Sequence, residues 1–132
     1  MKIIVDTCIW SLSLRRSGNE NDPSVIALSE LIKESRVQML GPIRQEILSG
    51  IKSVNKFNQI SKILRAFPDI PLQNDDYELA ARFFNLCRGK GIQGSNTDFL
   101  ICAVSVRQMM PIFSNDKDFL NYKKHLKIEL FN

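Results

Sequence analysis

Apolar and polar positions along the chain alternate between short solid runs and longer helical stripes. "KIIVD" (2–6) is a β-branched apolar run without polar alternation, the pattern of a strand buried on both faces, as in a parallel sheet. In "DPSVIALSELIKES" (22–35), Val25, Ile26, Leu28, Leu31 and Ile32 form a helical stripe. Asp22 supplies a cap there and Pro23 the first helical position. "VQML" (37–40) predicts a brief strand. "GPIRQEILSGI" (41–51) restarts a helix around Pro42, with Ile43, Ile47, Leu48 and Ile51 to one side. Phe57, Ile60, Ile63, Leu64 and Phe67 recur at helical intervals and predict a helix over 54–66, followed by a short strand in "FPDIPL".

The second half continues the alternation. "NDDYELAARFFNLCRGKG" (74–91) has an acidic first turn, a helical apolar pattern, and Gly89 and Gly91 to stop it. "TDFLICAVSVRQM" (97–109) is apolar nearly all round and predicts a central helix packed on the sheet. "PIFS" (111–114) reads as a strand, "DKDFLNY" (116–122) as a short helical turn, and "LKIEL" (126–130) as a last strand. Strands alternating with helices argue for an α/β domain whose mainly parallel sheet, of about five strands, carries helices on both faces. No linker, repeat or low-complexity segment interrupts the chain, so a single domain over residues 1–132 is expected. The helices between 41 and 66 break the simple alternation, and an arm or lid is the expectation there rather than a crossover.

Composition narrows the class. A chain of 132 residues, 44% apolar and 24% charged, is in the ordinary globular range. Its net charge of +4 is compatible with nucleic acid or an acidic protein partner, although the basic residues cluster only loosely, at Arg15–Arg16, Lys52/Lys56 and Lys123–Lys124. Cys8, Cys87 and Cys102 are odd in number and form no C-x-x-C pair, which argues against zinc and for reduced thiols in a cytoplasmic protein. No stretch approaches the roughly 18 uncharged apolar residues of a spanning helix. Asp6 also falls too early for a signal-peptide core, so no membrane association is expected.

Four acids stand where a purely structural role explains them least. Three apolar residues deliver Asp6 to the C-terminal end of the first strand, where open α/β sheets place their ligand crevice; its competing role is to cap a helix beginning near Thr7. Asp98 lies in the first turn of the central helix, with Asn96 and Thr97 as rival caps. Glu46 borders the apolar stripe of Ile43 and Ile47, although a Glu there is more often solvated. Asp116 follows "PIFS" as Asp6 follows the first strand. If the two strands run parallel, both acids share one sheet edge, and the helix feeding the later strand brings Asp98 to that edge too. Clustered carboxylates repel each other, a cost that a bound divalent cation removes. Oxygen ligands without His or Cys select hard cations, so Mg2+ or Mn2+ is expected. His125 is the only histidine, and neither phosphate-binding glycine motif is present, which leaves attack on a phosphodiester by a metal-activated water as the fitting chemistry. In "IFSNDKDF" (112–119) a second candidate, Asp118, lies two residues beyond Asp116. The residue nearer the strand end is the better placed, and Asp118 is expected to cap or face solvent.

"IIVDTCIWSLSLRR", "LGPIRQEILSGI", "GSNTDFLICAVSV" and "IFSNDKDF" resemble, in order and at suitable intervals, the four acidic motifs of the PIN domain, and within it the small toxins of VapBC toxin–antitoxin pairs. The resemblance covers essentially the whole chain and implies a three-layer α/β/α fold. It implies that Asp6, Glu46, Asp98 and Asp116 form an acidic pocket, and that Thr7 and Ser114 place hydroxyls beside the metal. It also implies a magnesium- or manganese-dependent endoribonuclease that cuts tRNA or ribosomal RNA, forms a homodimer and is held by a VapB-like antitoxin. Arg15, Arg16 and Arg44 are the candidate RNA contacts. Two other readings compete. A phosphatase or receiver-like module is disfavoured because the first motif reads Asp-Thr-Cys, without a second aspartate two residues on. A catalytically silent PIN-like domain that binds RNA or protein is disfavoured by the presence of all four acids.

Overall fold

A computed structural model describes residues 1–15 and 19–132. In chain order the elements are β1 (Ile3–Val5), α1 (Thr7–Ser13), α2 (Pro23–Lys33), β2 (Val37–Gln38), α3 (Gly41–Leu48), α4 (Val54–Leu64), α5 (Asn74–Gly89), α6 (Asn96–Gln108), β3 (Ile112–Phe113) and α7 (Asp118–Lys123). β1 is the central strand, paired in parallel with β2 on one side and β3 on the other. Its three residues are all buried, as the unalternating run requires of a strand covered on both faces. With helices against both faces, the architecture is the expected three-layer α/β/α arrangement.

The sheet has three strands among the described residues rather than about five. The two segments expected to complete it each contribute a single parallel bridge, Met39 to Asp69 at one edge and Ile112 to Leu130 at the other. Pro68 and Pro71 bracket the first of these and lack the N–H a ladder needs, so pairing is confined to Asp69 and Ile70, whose N–H donates to the Met39 carbonyl at 3.2 Å. At the other edge β3 is two residues long, and Ile112 exhausts its pairing by donating to the Glu129 carbonyl and accepting from the Phe131 N–H.

The helices follow their stripes. Asp22 caps α2 by accepting from the Ser24 N–H, with Pro23 at the first helical position. α3 and α4 form neither an arm nor a lid: they connect β2 to the edge segment at Asp69, and they bury Ile43, Ile47, Ile60 and Leu64 in the common core. α6 is the central helix, burying Phe99, Ile101, Cys102, Ala103, Val104 and Ser105, and α5 packs along it. The three cysteines are unpaired, Cys87 and Cys102 within the core and Cys8 half-buried. No helix among the described residues is long and apolar enough to cross a membrane.

Candidate active site

Strand direction decides where the acids meet. β1 and β3 run parallel side by side, and the Asp6 N–H donates to the Phe113 carbonyl, so the residues just past both strands emerge at one edge of the sheet. There a cleft of about 610 Å³ opens, lined by Asp6, Glu46, Asp98 and Asp116 together with Thr7, Cys8, Pro42, Gln45, Ser49 and Thr97. All four predicted acids reach it, and no lysine, arginine or histidine is among the lining residues. Among the described residues this concentration of negative charge has no cation inside the cleft to offset it.

Asp6 is almost wholly buried and fixed from two sides. It caps α1, as its competing reading anticipated, with Oδ1 accepting from the Thr7 N–H at 2.8 Å. Oδ2 accepts from the Ser114 hydroxyl at 2.7 Å and from the Cys8 thiol at 3.5 Å. Capping and facing the cleft are therefore compatible, since one carboxylate does both. Ser114 also accepts from the Asp116 N–H at 3.0 Å, which ties the two strand-end acids together through one hydroxyl. Thr7 serves Glu46 similarly, donating from Oγ1 to Oε1 at 2.6 Å and holding the α3 carboxylate over the cleft.

Asp98 stands in the first turn of α6, but the cap is neither Asn96 nor Thr97. Ser95, one residue before the helix, accepts from the Asp98 N–H at 3.1 Å. The Asp98 side chain is thereby spared capping duty and instead accepts from the Tyr122 hydroxyl at 2.8 Å. Burial pushes the Asp98 carboxyl above its ordinary value; the Tyr122 bond opposes this, and the charges of Asp6 and Asp116 raise it further. Asp118 is the first residue of α7, exposed, with its N–H donating to Asp116 Oδ1 at 2.9 Å. One oxygen from each of Asp98, Asp116 and Asp118 lies within 4.8 Å of the other two. Both "IFSNDKDF" acids are thus near Asp98, and Asp116 alone of the two also lines the cleft.

The predicted basic contacts are placed elsewhere. Arg44 is engaged by Asp69 at 2.8 Å and by the carbonyls of Leu64 and Phe67, which pins α3 to the segment after α4. Arg15 is exposed beside a second groove, lined also by Ser53, Lys56 and Gln59. Arg16 lies outside the described residues. Two residues escaped sequence reasoning: Cys8, which lines the cleft, and Tyr122, which is buried outside its lining and touches it only through Asp98. Cys8 stands among Asp6, Ser114 and the Asn115 N–H, and burial raises its thiol pKa; its place two residues after Asp6 on α1 was the available signal. Tyr122, four residues after Asp118, had no local signal at all.

Carboxylate oxygens of Asp98, Asp116 and Asp118 converging beside a cleft without basic residues suit a hard divalent cation. Comparison with known proteins agrees in kind. The PIN domain family model matches residues 3–125. Over 122 residues the chain is 28% identical to a VapC ribonuclease of Mycobacterium bovis and to ribonuclease VapC11 of Mycobacterium tuberculosis, covering 89% of this chain and 88% of each relative. Among solved structures, VapBC2 from Rickettsia felis bound to a promoter DNA fragment aligns over 100% of this chain and 98% of its own, with a TM-score of 0.79 at 16% identity. FitAcB from Neisseria gonorrhoeae aligns over 98% and 96%, with a TM-score of 0.77 at 21% identity. At these identities the structural likeness establishes the fold.

Proposed function

The chain belongs to the PIN domain family, and from that premise we propose that it is a metal-dependent endoribonuclease, the toxin of a type II toxin–antitoxin pair, acting on RNA of the tRNA or ribosomal class. One observation carries this reading: four carboxylates from four separate segments line a single cleft that contains no basic side chain. Gathering like charges in one cleft is unfavourable even where only Asp6 is buried, and a bound Mg2+ or Mn2+ relieves it. Asp6, Asp98 and Asp116, which line the cleft, would hold the ion, and Asp118 brings an oxygen to within 4.8 Å of those of Asp98 and Asp116, a grouping that does not include Asp6. When bound, the ion supplies Lewis-acid chemistry, lowering the pKa of a coordinated water and neutralising charge on a phosphodiester.

The chain's own residues divide the remaining work. Ser114 and the Thr7 N–H fix Asp6 so that its carboxylate needs no reorientation on loading. Glu46, held by the Thr7 hydroxyl, would be the carboxylate that accepts a proton from the attacking water. The four carboxylates lining the cleft would repel the phosphates of RNA, and a bound ion would lessen that repulsion. Curated relatives named as VapC ribonucleases and neighbours solved as VapBC and FitAB assemblies support the toxin role and a VapB-like antitoxin partner, and we propose a homodimer as part of the same reading.

Antitoxin-free protein incubated with cellular RNA provides the test. Mapping of RNA ends should reveal discrete internal cuts that appear with Mg2+ or Mn2+ and vanish in excess chelator. RNA left intact at every metal concentration, with tight RNA binding retained, would replace this reading with that of a silent binding domain.

A further inference from the structure

α7 carries Asp118 and Tyr122 four residues apart, so the two occupy the same side of this six-residue helix. They meet Asp98 from opposite environments. Asp118 is exposed and brings a carboxylate oxygen to within 4.8 Å of it, whereas Tyr122 is fully buried and donates its hydroxyl to Asp98 Oδ2 at 2.8 Å. The Tyr122 ring is held between Phe99, at 4.9 Å between centroids, and Phe119, at 5.2 Å.

A buried phenol requires an acceptor, and a backbone carbonyl would satisfy it. Here it takes a carboxylate of the acidic cleft, and the surroundings are shaped for that choice. A Cβ at Gly94 would overlap the Tyr122 hydroxyl, and it would lie 2.9 Å from both Tyr122 Cζ and Phe99 Cε2. Only glycine at that position leaves the phenol its path to Asp98. Ser95, the next residue, holds the Asp98 N–H, so main chain and side chain of Asp98 are each anchored by a separate neighbour.

We propose that Tyr122 is a positioning residue for Asp98: its hydroxyl fixes the rotation of the carboxylate so that the remaining lone pairs meet a divalent cation together with oxygens of Asp116 and Asp118. This inference rests on the metal-nuclease reading above. The terminal torsion of an aspartate is broad, and a charge-assisted bond to one oxygen removes that freedom before the ion arrives. Partners of this kind, bonded to a ligand rather than to the metal, typically contribute about 10- to 100-fold in metal affinity. A packing role would need the ring and not the hydroxyl.

Tyr122→Phe keeps the ring and deletes the hydroxyl, and a variant carrying 4-aminophenylalanine at position 122 restores an N–H donor at the same place. Mn2+ alone is titrated into metal-free full-length protein of each kind, beside a thermal melt in chelator and RNA cleavage at limiting Mn2+. Tyr122→Phe should melt at or near the wild-type temperature yet bind Mn2+ about 10- to 100-fold more weakly. Cleavage at limiting Mn2+ should fall in proportion, and the amino variant should recover most of both. Wild-type Mn2+ affinity in Tyr122→Phe, or a loss that the amino donor fails to recover, overturns the positioning role while leaving the nuclease reading intact. Wild-type protein that takes up no Mn2+ overturns the metal reading, and this inference with it.

Discussion

Asp98 concentrates the consequences at the residue scale, because its folded-state carboxyl lies above the ordinary value, chiefly through burial. A raised carboxyl contributes stability below the unfolded value of about 3.9 and loses that contribution as pH rises through the folded value. Asp98→Asn, which still offers Tyr122 an acceptor, should therefore melt higher than wild type at neutral pH in chelator. That gap should close on acidification below about pH 4; a variant that melts lower at neutral pH would mean that the charge is compensated in the empty cleft. Asp116 and Asp118 differ in a different way. Both lie near Asp98, but Asp116 lines the cleft and is linked to Asp6 through Ser114. Asp116→Asn should lower metal-dependent cleavage by about 100-fold or more, and Asp118→Asn by less than about tenfold. Single-turnover rates on one RNA would check this, and the reverse order would make Asp118 the principal ligand. Three of the acids were legible in the sequence because strand ends locate Asp6 and Asp116 and a helix start locates Asp98; Glu46, inside α3, had only its place beside the stripe of Ile43 and Ile47 to mark it. Tyr122 was not, since its partner Asp98 is 24 residues away and only packing joins them.

Elements place these side chains, and the turn into α6 is the narrowest fit. Gly94 has the Tyr122 phenol and the Phe99 ring where a Cβ would stand. Gly94→Ala should cost about 1–3 kcal/mol through overpacking. It should also weaken Mn2+ binding, because the hydroxyl is displaced from Asp98; thermal melts paired with Mn2+ titration would separate the two effects. Loss of stability with unchanged Mn2+ affinity would confine Gly94 to packing. Helices were read closely from their stripes, α6 above all, since an apolar surface on nearly every side leaves few places for it except the centre. Strands at the sheet edges were not, because apolar segments such as "FPDIPL" and "LKIEL" look alike whether they pair along their length or at one residue. The Ser95 cap was also missed. Serine, asparagine and threonine in succession all satisfy capping chemistry, and only the helix's actual start distinguishes them.

For the whole molecule, a parallel sheet whose central strand is flanked by both neighbours brings distant segments to one edge, and this topology gathers residues 6, 46, 98 and 116 around one cleft. Mild positive charge over the whole chain and concentrated negative charge in the cleft suit the two halves of the proposed activity, the first an RNA substrate and the second a cation. The central claim is that these acids act together on RNA through a divalent cation. Its most direct test is the rate of cleavage of one RNA by antitoxin-free protein as Mn2+ is raised from zero, with wild type and Asp6→Asn side by side. The account predicts no cutting without metal, a saturable rise for wild type, and for the variant, which loses a carboxylate that would hold the ion, a plateau lowered by more than the roughly 10- to 100-fold typical of losing a group that only supports a ligand. A rate independent of Mn2+, or equal in the two proteins, would contradict it.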